Sequence, residues 1–256
     1  MITLGVDAGT RATKAVLADS GSVLASVIVP CGRKSAAATA GLARDMALGN
    51  AGVAAGEVAS TAATGMYADR VAFASRGFPE GVCLARAMYQ LNPAVHSVLD
   101  VGSVRALAIK CREGKLTGFA VNDRCASGTG AFVEALAAYF KMPVEELGEV
   151  ALKATEPADF LNTCAVFVES EALSLLMSGK KPEDLIAGAL RGFASRVLSV
   201  LLGMGVEMEA AMVGGLARNR ALVKAIGESL GAAVFVPGEP ETTLALGAAL
   251  LAAERG

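Results

Sequence analysis

A short pattern occurs twice in this 256-residue chain, and its spacing constrains the fold more than any other feature. Asp7-Ala-Gly9-Thr10 is matched by Asp100-Val-Gly102-Ser103, with each equivalent residue 93 positions later. The turn glycine Gly21 is matched by Gly114 at the same offset. One offset that holds across two turns without a gap indicates an internal duplication.

Each copy predicts three short strands joined by tight turns, because β-branched and apolar runs alternate with glycine-containing turns. The predicted strands are 3–7, 14–17, 23–29, 97–100, 106–110, 116–121, 211–213 and 233–236. Apolar residues at helical spacing predict helices at 35–49, 81–90, 130–140, 165–178, 182–202, 218–230 and 242–254. The fold class is therefore α/β, with two duplicated domains that each hold a mixed sheet and flanking helices. We expect the domains to be 1–93 with the C-terminal helix 242–256, and 94–241.

Charge and composition limit the partners. The net charge of −2 and a pI near 5.6 leave no basic field of the kind that attracts nucleic acid. The chain shows no signal-peptide pattern at its start, and the longest apolar stretch, near Ala245 to Ala253, falls short of a membrane span. We expect a cytoplasmic protein that binds neither nucleic acid nor membrane. The five cysteines are then free thiols or metal ligands, since the cytoplasm keeps thiols reduced.

The repeated loops favour nucleotide binding. An aspartate at a strand end, followed by glycine and a hydroxyl residue, offers backbone N–H groups to a phosphate, and its carboxylate can hold hydrated Mg²⁺. Two such loops facing each other would grip a triphosphate from both sides. An ordinary strand–turn–strand is the alternative, and a single copy of the pattern would favour it; the fixed offset favours the nucleotide.

Two cysteines stand just before predicted helices. Cys125 precedes the helix with Phe132 and Leu136 on one face, and Cys164 precedes the helix containing Leu173. A helix N-terminus favours thiolate over thiol, as a metal ligand requires. Two ligands 39 residues apart are half of the set for a cubane cluster, and a two-fold dimer would supply the rest. On the residues alone, two buried core cysteines are the simpler interpretation.

Two segments resemble a known superfamily. Asp7-Ala-Gly9-Thr10-Arg-Ala-Thr13-Lys14 is similar to the first phosphate loop of the acetate and sugar kinase, Hsc70 and actin superfamily. Met212-Val-Gly214-Gly215-Leu-Ala-Arg-Asn219 resembles its adenosine motif. The resemblance implies an actin-like fold with ATP bound between its two halves. The chain contains no Walker-type phosphate-loop motif.

A narrower resemblance rests on the cysteine segments. Residues 122–132, N-D-x-C-A-x-G-T-G-x-F, and 163–171, T-C-x-V-F-x-E-S-E, resemble the cluster-binding motifs of ATP-dependent activators of 2-hydroxyacyl-CoA dehydratases and of the related ATPase subunits of benzoyl-CoA reductase. It implies ATP-driven transfer of a low-potential electron, from a ferredoxin or flavodoxin, to an iron–sulfur dehydratase or reductase that acts on an acyl-CoA. It also implies a homodimer, or a heterodimer with a paralogous ATPase subunit, bridged by one 4Fe-4S cluster.

The same resemblance implies the site residues. Cys125 and Cys164 would be the cluster ligands of each subunit, and Asp7 and Asp100 the catalytic residues that hold Mg²⁺. The implied ATP contacts are Gly9, Thr10, Thr13, Lys14, Gly102, Ser103, Gly128, Thr129, Gly130, Gly214, Gly215 and Asn219.

The second loop departs from the family pattern. Activators continue it as Gly-Gln-Asp, whereas this chain has Ser103-Val104-Arg105 and lacks the groups that would position water or metal. Two alternatives to the electron-transfer ATPase stay open: a nucleotide-binding regulatory subunit with impaired hydrolysis, and a small-molecule kinase without a cluster. Cys31, Cys83 and Cys111 match no ligand position and are expected to be core or surface thiols.

Overall fold

The computed structural model describes residues 1–122, 125–160, 164 and 166–254. The chain divides into two compact units. Unit 1 comprises Met1–His96, Ile109–Gly118 and the chain from Pro237 onward; unit 2 comprises Ser97–Ala108 and Phe119–Val236.

The described part of the chain contains ten strands and eight α-helices. The strands are β1 (Ile2–Ala8), β2 (Ala12–Asp19), β3 (Ser22–Pro30), β4 (Ser60–Thr64), β5 (Arg76–Gly77), β6 (Ser97–Val101), β7 (Ala106–Arg112), β8 (Lys115–Asn122), β9 (Ala210–Val213) and β10 (Val234–Phe235). The helices are α1 (Ala36–Ala51), α2 (Glu80–Leu91), α3 (Gly130–Tyr139), α4 (Val144–Ala151), α5 (Val168–Met177), α6 (Pro182–Leu202), α7 (Arg220–Leu230) and α8 (Thr243–Glu254).

The two sheets have the same strand order. The first runs β3-β2-β1-β4-β5 and the second runs β8-β7-β6-β9-β10. In each sheet the first strand of the repeat lies in the centre. It pairs in parallel with the fourth strand of that sheet in chain order: β1 with β4, and β6 with β9. The matching order is the structural counterpart of the repeat in the sequence.

Helices pack closely against the sheet of unit 1. Apolar residues of β1 and β2 pack with α1, whose N-cap Ser35 accepts a hydrogen bond from Ala38 N at 3.2 Å. Helix α8 packs on β1 through glycine, because a Cβ at Gly5 would overlap the backbone of α8. Helix α2 approaches α8 in the same way, since a Cβ at Gly247 would overlap the carbonyl of Cys83. Backbone contacts of this kind demand glycine.

Unit 2 is built on the long helix α6. Its buried Phe193 stacks on Phe132 of α3, with ring centroids 5.5 Å apart. Helices α4 and α7 pack against α6 in the same core. This core holds α3, and with it the segment that follows Cys125.

Most predicted elements are confirmed. The boundaries of α6 coincide with the prediction, and the three strands of each repeat occur where the pattern indicates. β4 was missed because Ser-Thr-Ala-Ala-Thr has little of the large β-branched and aromatic content that marks a strand. α4 was missed because eight residues carry only two turns of helical periodicity.

Helix α6 also corrects one detail of the sequence analysis. By length and composition it is apolar enough to cross a membrane, and it exceeds the stretch near Ala245 to Ala253. The core helix of a folded unit passes the same test, and 56% of the α6 window is buried inside unit 2. We therefore assign α6 to the core of that unit.

The glycine contact between α8 and α2 predicts an effect on stability. Gly247→Ala should lower the free energy of unfolding by about 1–3 kcal/mol, because the added methyl group would overlap the Cys83 carbonyl. Gly41→Ala is the matched control, since it also lies within a helix but has nothing within 4 Å of an added Cβ. The control should gain about 0.5–1 kcal/mol from helix propensity. Denaturant unfolding of both variants measures the difference, and equal stabilities would contradict the predicted contact.

Candidate functional site

The carboxylate of Asp7 lies in a cradle at the end of β1 and is almost fully buried. One oxygen accepts a hydrogen bond from Lys14 Nζ at 3.0 Å. The other lies against Gly65, which follows β4 with a φ of 90° and has no room for a Cβ. A Cβ at Gly9 would come 3.3 Å from Lys14 Nζ. An acid, an ammonium group and two glycines therefore meet beside the loop that joins β1 to β2.

The contact between aspartate and glycine also occurs at Asp100 in unit 2. Asp7 lies opposite Thr64 in the β1–β4 ladder, and Asp100 lies opposite Val213 in the β6–β9 ladder. The glycine that follows, Gly214, has a φ of 83°, and a Cβ there would overlap the Asp100 carboxylate. Each copy of the repeat thus places an aspartate beside a glycine in the left-handed region, a backbone conformation that other residues rarely adopt.

Side chains of unit 1 support the first loop from behind. The Thr13 hydroxyl is buried and donates to Thr39 Oγ1 of α1 at 2.9 Å. Cys31, just after β3, donates its N–H to the Arg11 carbonyl at 2.9 Å and its thiol to the Gly9 carbonyl at 3.6 Å. The Thr13 hydroxyl therefore faces the protein interior, whereas Gly9 and Thr10 lie half-exposed in the loop itself.

Helix amides of unit 2 support the second loop. Gly130 N donates to the Gly102 carbonyl, and Ala131 N donates to the Ser103 carbonyl, each at 2.8 Å. Gly128, Thr129 and Gly130, which the sequence analysis assigned to ATP, are all buried. Their position behind the loop explains the glycine at 130, since a Cβ there would come 3.0 Å from Ser103 Cα.

The segment after β9 runs from the exposed Gly215 into α7. Asn219 is buried and caps α7, with its side-chain oxygen accepting a hydrogen bond from Leu222 N at 3.0 Å. The sequence analysis assigned Asn219 to the adenosine motif. Its oxygen caps α7, whereas its buried side-chain nitrogen has no hydrogen-bond partner in the described part of the chain, so the assignment to the adenosine motif stays a prediction.

Cys125 is exposed, and its surroundings favour the thiolate. Its thiol donates to Ser127 Oγ at 3.3 Å. Once ionised, the sulfur instead accepts hydrogen bonds from the Ser127 hydroxyl and N–H, which lower the pKa of Cys125; burial opposes this shift, and the positive charge of Arg196 adds to it. A single 3₁₀ turn, Ala126–Gly128, follows Cys125, and α3 starts at Gly130, as the sequence analysis predicts.

Cys164 is half-buried, and its carbonyl accepts hydrogen bonds from Phe167 N and Val168 N, both at 3.0 Å. It therefore lies one turn before α5. The neighbouring motif positions Asp123, Arg124, Asn162 and Thr163 lie outside the described residues. Within the described ranges, no group of three or more His, Cys, Asp or Glu side chains is placed to hold a metal ion.

The other three cysteines are buried. Burial raises the pKa of the Cys83 thiol to about 12; the Asp7 charge raises it too, and a hydrogen bond with Thr64 opposes the shift. Cys111 donates its thiol to the Val95 carbonyl at 3.7 Å. All three are therefore core thiols, one of the two alternatives that the sequence analysis left open. Sequence reasoning missed the part that Cys31 and Thr39 play behind the first loop, since their approach to it is visible only in the folded chain.

A pair of sheets of equal strand order, each with an aspartate beside a glycine of positive φ, defines an actin-like nucleotide-binding protein. Two solved structures superpose over the full length of this chain. The (R)-2-hydroxyglutaryl-CoA dehydratase component A of Acidaminococcus fermentans has a TM-score of 0.97 and 32% sequence identity, with 98% of that chain covered. The activator of the 2-hydroxyisocaproyl-CoA dehydratase of Clostridium difficile with bound ADPNP has a TM-score of 0.93 and 32% sequence identity, with 95% of that chain covered. A glucokinase of Streptomyces griseus shares the fold alone, at 14% identity and a TM-score of 0.60 over 99% of this chain and 100% of that one.

The chain belongs to the BadF/BadG/BcrA/BcrD ATPase family, which it matches over residues 4–252. Among curated relatives, the 2-hydroxyisocaproyl-CoA dehydratase activator of Clostridioides difficile is 34% identical over 98% of this chain and 95% of its own length. One of the subunits of the benzoyl-CoA reductase of Thauera aromatica is 31% identical over 99% and 94%, respectively. The predicted family and the actin-like fold are both confirmed.

The thiol environments predict a sharp order of reactivity. In the native, cluster-free protein at pH 8, Cys125 should react with Ellman's reagent in the fast phase, because it is exposed. Cys83 should react only after unfolding, since a pKa of about 12 leaves about one thiol in ten thousand ionised at that pH. Mass spectrometry of the labelled peptides identifies the sites. Cys125→Ser should remove the fast phase, and rapid native labelling of Cys83 would contradict its burial.

Proposed function

We propose that this chain binds ATP and uses it to deliver a low-potential electron to a partner enzyme that dehydrates or reduces an acyl-CoA. Family membership over nearly the full chain, together with relatives that are dehydratase activators and a component of a reductase, carries the proposal. The partner would be an iron–sulfur dehydratase or reductase, and the electron donor a ferredoxin or flavodoxin. Cytoplasmic location and the domains 1–93 with 242–256, and 94–241, belong to the same proposal.

The two aspartate–glycine cradles support ATP and Mg²⁺ as the ligands. Asp7 and Asp100 present carboxylates, which Mg²⁺ accepts directly or through water. Lys14 supplies a positive charge next to Asp7, and the glycines leave the backbone open to a phosphate. We assign phosphate contacts to the loops at Gly9–Thr10 and Gly102–Ser103. Gly214 and Gly215, with α7 behind them, would receive the adenosine.

Lys14 should dominate the affinity of the first loop. Lys14→Met is expected to weaken binding of Mg·ATP by about ten- to a hundredfold, because a charge-assisted contact with phosphate is lost. Lys153→Met, at an exposed lysine after α4, is the matched control and should bind as the wild type does. Isothermal titration calorimetry measures both. Equal affinities in all three proteins would remove the first loop from the ATP site.

A second candidate function depends on whether this chain hydrolyses the ATP that it binds. Val104 is exposed in the second loop, and its side chain has no polar group that could orient a water molecule. Arg105 has no carboxylate that could bind a metal ion. These residues favour a nucleotide-binding regulatory subunit in which turnover is slow or lost.

The double variant Val104→Gln/Arg105→Asp tests that alternative by restoring the polar groups of the activators. If the second loop limits turnover, the double variant should release phosphate from ATP at least about tenfold faster than the wild type, equivalent to about 1.4 kcal/mol of barrier. Leu152→Gln, at an exposed position after α4, controls for the added amide. Rapid hydrolysis by the wild type, unchanged in the double variant, would instead establish this chain as an active ATPase as it stands.

The cysteine environments fit an iron–sulfur cluster. Cys125 is an exposed thiol whose pKa is lowered, and Cys164 lies one turn before a helix, a position that favours the thiolate form that a cluster binds. Two thiolates per chain supply half of the ligands of a 4Fe-4S cluster. We therefore propose a dimer, of two copies or with a paralogous subunit, that shares one cluster. Bound there, the cluster would supply one-electron chemistry, while Ser127 and Arg196 stabilise the thiolate ligand.

Anaerobic reconstitution tests the ligand set. The wild type should hold about four irons and four sulfides per dimer and show the broad visible absorption of a cluster. Cys125→Ser and Cys164→Ser should each lose most of that iron and, on size-exclusion chromatography, the cluster-dependent dimer. Cys111→Ala, which removes a buried thiol, is the control and should retain both. Full iron content in both serine variants would overturn the assignment.

A further inference from the structure

The turn that joins β3 to α1, residues 31–35, lies beside the first phosphate loop. Ala12 of β2 pairs with Pro30 of β3, so β3 ends at the same edge of the sheet as the loop between β1 and β2. Cys31 then donates its N–H to the Arg11 carbonyl at 2.9 Å and its thiol to the Gly9 carbonyl at 3.6 Å. Two hydrogen bonds therefore attach the start of the 31–35 turn to the phosphate loop.

The 31–35 turn is held at both ends. Gly32 has a φ of 54°, and Lys34 N donates to the Cys31 carbonyl at 2.9 Å, which closes a four-residue turn. Ser35 is the N-cap of α1, and its hydroxyl accepts a hydrogen bond from the helix backbone at 3.2 Å. The Cα atoms of Arg33 and Lys34 therefore lie within about 7 Å of the Cys31 Cα.

This turn adds positive charge to the surroundings of the first phosphate loop. The charged residues of the segments 7–14 and 31–35 are four bases and one acid: Arg11, Lys14, Arg33, Lys34 and Asp7. The acid is paired with Lys14, and the other three bases are exposed. The first turn of α1 contains no acidic residue. Within the part of the chain that the structure describes, neither basic side chain of the 31–35 turn forms an ion pair.

We propose that Arg33 and Lys34 attract the polyphosphate of ATP to the first phosphate loop and thereby raise its association rate. This inference rests on the proposed ATP site and adds two residues that lie outside the assigned phosphate contacts. At 0.1 M salt, exposed charges act over about 10 Å, which exceeds the separation of the turn from the loop. Attraction of this kind raises association rates by about tenfold or more.

Stopped-flow fluorescence measures the association of the full chain with Mg²⁺ and an N-methylanthraniloyl derivative of ATP. At about 0.1 M salt, the double variant Arg33→Gln/Lys34→Gln should associate at least about threefold more slowly than the wild type, because two attracting charges are lost. The dissociation rate should stay the same, since the attraction acts before contact. At about 1 M salt the screening length falls to about 3 Å, and the two proteins should associate equally fast.

Two further double variants separate charge from the shape of the turn. Arg33→Lys/Lys34→Arg keeps both charges and should associate as the wild type does. Arg112→Gln/Lys115→Gln removes the same two residue types from the exposed turn between β7 and β8. That turn follows the seven residues of β7, about 20 Å along the strand from the second phosphate loop. This matched control should also associate at the wild-type rate.

Equilibrium titration with the same derivative separates the outcomes. Binding to the wild type, with equal association rates in Arg33→Gln/Lys34→Gln at about 0.1 M salt, would overturn the inference and leave the ATP site standing. A slower rate that persists at about 1 M salt, or slow association of the variant that keeps both charges, would also overturn it. Absence of binding by the wild type would overturn the proposed ATP site, and the inference with it.

Discussion

The contact between an aspartate and a glycine at the centre of each sheet is the constraint on which the rest of the structure depends. Asp7 meets Gly65, and Asp100 meets Gly214, at the point where the first and fourth strands of the repeat run in parallel. Each glycine has positive φ and no room for a Cβ, so the chain can pass directly over a carboxylate. Asp7 is almost fully buried and lies beside the loop that follows β1, whereas Asp100 is half-buried.

The two copies of the duplication support those loops by different means. In unit 1 the loop rests on side chains, with the Cys31 thiol and N–H bonded to its carbonyls and Thr13 bonded to α1. In unit 2 the loop rests on the N–H groups of α3. That difference matters because α3 continues backward into the loop of Cys125. In the second copy, backbone hydrogen bonds thus connect the loop after β6 to the segment of a candidate metal ligand, and the first copy has no corresponding connection among the described residues.

Local patterns predicted much of the fold because they reflect local physics. The 93-residue offset indicated two units of equal plan, and helical periodicity located α6 to the residue. β4 and α4 were missed, since an alanine-rich strand and a two-turn helix carry weak signals. β4 matters most among these, because Gly65 owes its place beside Asp7 to the pairing of β4 with β1. Pairing between distant segments leaves no mark in either segment alone.

By itself the sequence determined the duplication, the α/β class, the candidate aspartates and the two cysteines that precede helices, because each is a matter of residue type and spacing. Only the tertiary structure decided what those residues touch. In the folded chain Thr13 and Thr129 are buried, Asn219 caps α7, and Gly130 N donates a hydrogen bond to the Gly102 carbonyl. Cys125 forms a hydrogen bond with Ser127, and the positive charge of Arg196 helps to lower its pKa. Burial and hydrogen-bond partners arise from packing between distant segments, and such packing exists only once the chain has folded.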